Sequence, residues 1–121
     1  MIRSRDQERA QYAYECIKKV KGKPFESKYR SYVIGAPTLI LINGLGPAMA
    51  FMQSKKEDAY KFLVMDLDSW LKKTNTTSMN IIDWIMYRNT SSLDVYRATE
   101  EILALLNWMK RFANAELKEE V

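Results

Sequence analysis

Apolar residues recur at steps of three and four along most of the 121-residue chain, which is the period of an amphipathic α-helix. No segment alternates apolar and polar residues as a half-buried strand does. The sequence therefore predicts an all-α fold, a compact single-domain bundle of about six helices. We expect residues 1–121 to form this one domain, with short flexible ends at residues 1–3 and 116–121.

The first and last helices have the clearest start signals. Ser4 and Gln7, and later Ser91 and Asp94, have the spacing of a capping box, in which each side chain bonds the other residue's backbone N–H. Gly22 is placed to end the first helix. The predicted core stripes of these two helices are Ala10, Ala13, Tyr14, Ile17 and Val20, and then Ala98, Ile102, Leu105, Leu106, Met109, Phe112 and Ala113.

Further helices are predicted between these two. Pro24 opens a short helix, and Gly35 and Pro37 are expected to close it. Ser54 and Glu57 have the spacing of another capping box, which predicts the start of a later helix. A polar linker separates that helix from a final short one. The stripes are Phe25, Tyr29, Tyr32 and Val33; then Tyr60, Leu63, Val64, Leu67, Trp70 and Leu71; then Met79, Ile82, Ile85 and Met86.

Residues 39–51, LILINGLGPAMAF, join an apolar run to a Gly-x-Gly and could be taken for a phosphate-binding loop. Met49 stands where a dinucleotide fingerprint needs its third glycine, and the Walker lysine is absent. We therefore interpret the segment as packing, and a strand through residues 39–42 would contradict this. Pro47 predicts either a kink near residues 43–46 or a break, with Gly46 capping a new helix. The helical stripe is Leu39, Ile42, Leu45, Met49 and Met52.

Composition narrows the chemistry. The chain has no histidine and one cysteine, Cys16, which removes the commonest metal ligand and general base and excludes a structural zinc site. Asp66 and Asp68 point to opposite sides of a helix, Glu100 and Glu101 also diverge, and we interpret both pairs as solvated surface. The sequence therefore predicts no catalytic residues, no metal and no cofactor. With no signal peptide or apolar run of about 20 residues, a cytoplasmic location is expected.

Three segments of the sequence resemble one family. They are RDQERAQYAYE at residues 5–15, YRSYVIGAPTLILINGLGPAMAF at residues 29–51 and YRATEEILALLNWMKRFANAEL at residues 96–117. They resemble the small subunit of the CRISPR type III-B Cmr effector complex (RAMP module), the Cmr subunit five family. The likeness covers residues 5–117. Its most specific motifs are NGLG at residues 43–46 with AF at 50–51, and LNW at 106–108 with KRFA at 110–113. Pro47 departs from the family's pattern, which puts the straightness of the central helix in doubt.

The resemblance implies a non-catalytic subunit of an RNA-guided, RNA-targeting ribonucleoprotein of antiviral defence. Such subunits stack in more than one copy beside the repeated backbone subunits and the large subunit. They line the path of guide and target RNA, and the RNA cleavage belongs to other subunits. The alternative is a helical protein–protein adaptor without nucleic-acid contact.

The distribution of charge is compatible with RNA. Nine of the 19 Lys and Arg residues, but only four of the 15 acids, fall in residues 1–30. Arg5, Arg9, Tyr12, Cys16 and Lys19 are expected on one stripe turned away from the core. Such a face could bind phosphates without reading sequence, or be an ordinary solvated face or a subunit contact. The candidate RNA contacts are Arg5, Arg9, Lys19, Lys21, Lys23, Lys55, Lys56 and Arg111.

Trp108 lies beside the main apolar stripe of the last helix. An exposed indole could stack on an RNA base. The alternative is that the last helix is buried on two sides, and we favour this placement of Trp108 in the core.

Overall fold

The computed structural model describes residues 1–121 and confirms the all-α prediction, with six helices and no strand. The helices are α1 Arg5–Val20, α2 Glu26–Asn43, α3 Leu45–Ser54, α4 Asp58–Lys73, α5 Ile81–Met86 and α6 Ser92–Glu116.

The capping boxes predicted for α1 and α6 are both present. The Ser4 hydroxyl accepts from the Gln7 backbone N–H at 3.1 Å, and the Gln7 side chain accepts from the Ser4 N–H at 2.8 Å. Ser91 and Asp94 make the equivalent pair of bonds at 3.0 and 3.1 Å. In both boxes the capping side chains bond only within the box, so the local signal decides where the helix starts.

The third predicted box is wrong. Ser54 is the last residue of α3, and its hydroxyl donates to the Phe51 carbonyl at 2.7 Å. Glu57 is the N-cap of α4 but makes no capping bond with its side chain. Its carboxylate instead accepts a 2.7 Å bond from Tyr32 and lies 3.6 Å from Lys28 Nζ. Tertiary partners on α2 have therefore replaced the local cap.

Helix α6 is the element around which the bundle packs. Helix α1 runs parallel to it, since Arg9 meets Glu101 at one end and Lys21 meets Glu116 at the other. The start of α2 lies beside the end of α6, where Arg30 donates to Asn114 at 2.9 Å. Helix α4 packs against α2 and contacts α1 through Tyr12. Twenty-seven buried apolar residues form one continuous core. The largest fully buried side chains are Tyr29, Ile17, Ile40, Met49, Met52, Leu63, Leu67, Leu71, Ile81, Ile102, Leu105 and Leu106.

Helix α2 continues through Gly35 and Pro37, so the predicted end at these residues is wrong. Proline within a helix removes one backbone hydrogen bond and costs about 3 kcal/mol. Val33, Ala36 and Ile40 are all buried on the same face of α2. Their packing against α4 and α6 holds the helix together across the proline, because tertiary burial outweighs local propensity.

The central segment breaks between α2 and α3, which is the second of the two outcomes predicted from Pro47. The break is at Gly44, which adopts φ +88°, and not at Gly46 as expected. Pro47 is the third residue of α3, where a backbone N–H would have no acceptor within the helix, so its missing donor costs nothing. No strand forms, and the packing interpretation is confirmed for Leu45, Met49 and Met52, whereas Ile42 is exposed.

Residues 117–120 lie against α2. Leu117 is buried, the Lys118 N–H donates to Glu26 at 2.9 Å, and Glu119 and Glu120 contact Arg30 and Ser31. The flexibility expected at residues 116–121 and 1–3 stays a prediction. No helix combines the length and apolar character needed to cross a membrane.

Candidate nucleic-acid interface

The predicted stripe on α1 is not turned away from the core. Cys16 is 1% exposed, and Tyr12 is half-buried with its hydroxyl donating to the Asp66 carbonyl at 2.6 Å. The Tyr12 ring lies 4.9 Å from that of Trp70. Helix α1 is thus covered by α4 as well as α6, which a single apolar stripe does not reveal. Conversely Tyr14, predicted in the core, is exposed.

Arg5 and Arg9 converge on Glu101 of α6. Arg9 bonds both carboxylate oxygens, with Nε to Oε2 at 2.7 Å and Nη2 to Oε1 at 2.9 Å. Arg5 reaches Oε1 at 3.4 Å, and the Trp70 indole N–H donates to Oε2 at 2.9 Å. Burial raises the pKa of Glu101, but the bonds from Arg9 and Trp70 outweigh it and the net pKa is lowered. The predicted solvation of Glu101 is therefore wrong, whereas Glu100 is exposed.

Asp66 and Asp68 are buried, so their predicted solvation is also wrong. Asp66 accepts a 2.5 Å bond from the Tyr29 hydroxyl and lies 3.6 Å from Lys19 Nζ. Burial raises the pKa of Asp66 despite the opposing bond from Tyr29. Asp68 accepts from the Ile81 N–H at 2.8 Å and so fixes the start of α5. Each carboxylate thus joins α4 to another helix, Asp66 to α2 and Asp68 to α5.

Cys16 lies within this buried group. Burial first, and then the negative charge of Asp66, raise the pKa of its thiol. A thiol that holds its proton is a poor nucleophile, which agrees with a packing role. No group of three or more Cys, Asp or Glu residues is arranged to hold a metal ion.

Two other candidates from the N-terminal region also have partners. Lys21 Nζ lies 3.1 Å from Glu116, and Lys23 Nζ lies 5.7 Å from the centre of the Phe62 ring. Lys23 thus has no acidic partner and stays exposed, whereas Lys21 joins α1 to the end of α6.

Lys55, Lys56 and Arg111 are exposed and pair with no acid. Lys55 Nζ lies 4.9 Å above the Phe51 ring, while Lys56 and Arg111 make no side-chain bond within the chain. These three cations keep their charges open to solvent. They differ in this from Arg5, Arg9, Lys19 and Lys21.

Lys61 on α4 belongs with the open cations, and the sequence did not indicate it. Glu57 lies four residues earlier, a spacing that normally predicts an ion pair along a helix. The Glu57 carboxylate is held by Tyr32 and Lys28 instead, so Lys61 has no acidic partner. Lys61 and Lys55 line the same surface depression. That Lys61 lacks an acidic partner becomes clear only from the tertiary contacts of Glu57.

Trp108 is half-buried, packs against the core and stacks on Phe112 with ring centres 5.8 Å apart. Its indole N–H donates to Asp6 Oδ1 at 3.0 Å, and this bond is the main reason that the pKa of Asp6 is lowered. Trp108 therefore packs against the core, but it is not one of the buried core residues, so the predicted placement in the core is met only in part.

Six helices around one core, with paired charges at the helix seams and open cations elsewhere, define a small all-helical protein. The model of the CRISPR-associated protein family Cas_Cmr5 matches residues 5–116. The chain therefore belongs to the Cmr subunit five family, as the sequence resemblance predicts.

Two similar proteins are both from Thermus thermophilus. The CRISPR system Cmr subunit Cmr5 is 32% identical over 118 residues, spanning 98% of this chain and 100% of the relative. The crystal structure of a CRISPR-associated Cmr5 family protein superposes with a TM-score of 0.81 at 31% identity, covering 97% of this chain and 100% of that one.

Proposed function

We propose that the protein is a non-catalytic subunit of a cytoplasmic, type III-B Cmr complex, an RNA-guided and RNA-targeting effector of antiviral defence. Its partners are the backbone and large subunits, further copies of itself, and guide and target RNA. Membership of the family supports this, as does the name of the Thermus relative. The absence of histidine and the raised pKa of the buried Cys16 thiol are compatible with a subunit that performs no chemistry.

The observation that carries the RNA contact is the division among the cations. Lys55, Lys56 and Lys61 have no acidic partner and follow one another across the junction of α3 and α4. We propose that they contact RNA phosphates without reading sequence. Lys23 and Arg111 remain candidates because they too have no acidic partner. Arg5, Arg9, Lys19 and Lys21 are proposed primarily to fix helix packing.

The test is a triple substitution, Lys55→Gln, Lys56→Gln and Lys61→Gln, in a complex assembled with guide RNA. We expect weaker target capture, with the slope of log affinity against log salt falling by about 0.7–0.9 for each phosphate that is no longer neutralised. The matched control is Lys18→Gln, Lys110→Gln and Lys118→Gln, which removes the same charge from cations without acidic partners. An equal effect in both variants would indicate that RNA responds only to the total charge of the protein. That result would contradict a contact at Lys55, Lys56 and Lys61.

The protein–protein adaptor is kept as a second candidate because large apolar side chains are exposed. Leu41, Ile42 and Met86 are 71%, 75% and 69% exposed. Exposed apolar side chains of this size favour contact with another protein when they lie together. If the lysine variant joins the complex poorly while RNA capture per assembled particle is unchanged, the adaptor function is the correct one.

A further inference from the structure

A depression of about 300 Å³ lies where the end of α3, the middle of α4 and the residue before α5 meet. Its apolar lining is Met65, which is 60% exposed, with the buried Val64 and Met52 behind it. Lys55 and Lys61 stand on its rim. The size is at the lower end of the range for small-ligand pockets.

The polar groups of the depression have unused hydrogen-bonding capacity. One oxygen of Asp68 accepts from the Ile81 N–H at 2.8 Å, and the other has no partner in the chain. The Asn80 carbonyl oxygen accepts from Lys72 at 2.7 Å, which leaves its NH₂ group without an acceptor. The Gln53 side chain makes no bond within the chain. The site thus presents one carboxylate acceptor and several donors beside an apolar wall.

These features match three parts of one ligand. A flat ring could lie against Met65, because thioethers pack favourably on aromatic rings. An exocyclic amino group could donate to the open oxygen of Asp68, and a phosphate could reach Lys55 and Lys61. A peptide side chain or a simple anion would satisfy only one part of this set.

We propose that the depression binds a single nucleotide unit whose base carries an exocyclic amino group. The unit is either an unpaired nucleotide of RNA or a free mononucleotide, since the chemistry is the same. This inference rests on the proposed function in one respect: Lys55 and Lys61 also belong to the proposed RNA-contacting lysines. It adds a base contact to what is otherwise a purely electrostatic surface.

The first experiment titrates the isolated protein with cytidine 5′-monophosphate while methionine methyl resonances are followed by NMR. We expect the Met65 methyl to shift, and uridine 5′-monophosphate, which lacks the amino group, to bind at least threefold more weakly. Met65→Ser should weaken cytidylate binding at least fivefold. Met86→Ser is the matched control, because Met86 is also exposed but lies away from the depression. Equal behaviour of the two variants, or equal binding of the two nucleotides, would overturn the proposal.

The second experiment identifies the source of the nucleotide. A single-stranded cytidine oligonucleotide and the same strand in a duplex are compared with the mononucleotide. Binding of the single strand that is lost in Met65→Ser indicates RNA, and binding of the mononucleotide alone indicates a free ligand. Either result supports the pocket.

Failure of this inference can be told from failure of the proposed function. If the triple lysine variant flattens the salt slope while Met65→Ser changes neither nucleotide nor RNA binding, the pocket is refuted and the RNA surface stands. If Met65→Ser instead blocks incorporation into the assembled complex and leaves nucleotide binding unchanged, the depression receives a protein side chain and the inference is wrong.

Discussion

The cations of α1 and those at the junction of α3 and α4 look alike in sequence but have different surroundings. On α1, Arg9 is held by two bonds to Glu101 and its side chain is 19% exposed. At the α3–α4 junction, Lys56 has no partner of any kind and is exposed. The first arrangement joins helices, and the second leaves charge for an external ligand.

The difference shows that local charge density does not identify a binding surface. Residues 1–30 hold the excess of positive charge, yet six of their cations pair with acids from other parts of the fold. A surface becomes a candidate for phosphate only when its cations have no competing carboxylate. The following predictions test this division, from the largest expected effect to the smallest.

Arg9→Ala should destabilise the fold by about 2–3 kcal/mol, because it leaves the half-buried Glu101 carboxylate without its bidentate partner. Lys56→Ala should change stability by less than about 0.5 kcal/mol, as is usual for open surface residues. Urea unfolding followed by circular dichroism measures both. Similar values for the two variants would remove the distinction on which the comparison depends.

Glu101→Gln should destabilise by about 1–2 kcal/mol at neutral pH, because the amide oxygen still accepts hydrogen bonds but cannot form the bidentate ion pair with Arg9. The folded-state pKa of Glu101 is lowered, so its contribution is present above the unfolded pKa and is lost as pH falls through the folded pKa. Thermal unfolding from pH 7 to pH 3 should show the two proteins converging in acid. A difference that is constant across this range would contradict an ionic role.

Asp66→Asn should have the opposite pH dependence and a gain of roughly 1 kcal/mol at neutral pH. Burial raises the pKa of Asp66, so the protonated acid is favoured in the fold and stability declines as pH rises through that pKa. Asparagine still accepts from Tyr29 without a buried charge. The gain should be absent at pH 3, and a loss of stability at pH 7 would show that the pair with Lys19 outweighs the cost of burial.

Arg5→Gln should have the smallest effect, about 0.5 kcal/mol, since its pair with Glu101 is longer and its side chain is 46% exposed. Raising the salt from about 0.05 to 0.5 M should abolish this effect, because an exposed pair is screened at such ionic strength. The Arg9→Ala effect should persist under the same conditions. Equal salt sensitivity in both would show that Arg9 is also effectively exposed.

The helices whose start signals are local could be predicted from the sequence. The boxes at Ser4 and Ser91 act within one turn, and no distant residue binds their side chains. Glu57 of the third predicted box is instead held by Tyr32 and Lys28 of α2. The end predicted for α2 at Gly35 and Pro37 was wrong because α2 has buried residues on both sides of the proline, and their packing keeps the helix continuous. Local rules fail where burial supplies more free energy than propensity.

The charged groups were harder to predict than the helices. Tyr29 lies 37 residues from Asp66 and Arg9 lies 92 from Glu101, so no spacing rule connects them. Lys61 was missed for the same reason. Its expected partner Glu57 accepts a hydrogen bond from Tyr32 of α2, which is distant in sequence. Lys55 and Lys56 were selected from sequence because two cations at a helix start have no local reason to be there. In the structure they are exposed and precede α4, which begins at Asp58, and their contact with RNA stays a prediction.

The parallel alignment of α1 and α6 determines when the protein can complete its fold during synthesis. The partner of Arg9 is made 92 residues later, near the end of the chain. Until α6 leaves the ribosome, α1 can contact α4 through Tyr12 but lacks the helix with which it packs most extensively. Pairings so distant in sequence close slowly, and the face of α1 that α6 covers is open to chaperones meanwhile. The first helix to be synthesised is therefore among the last to be buried.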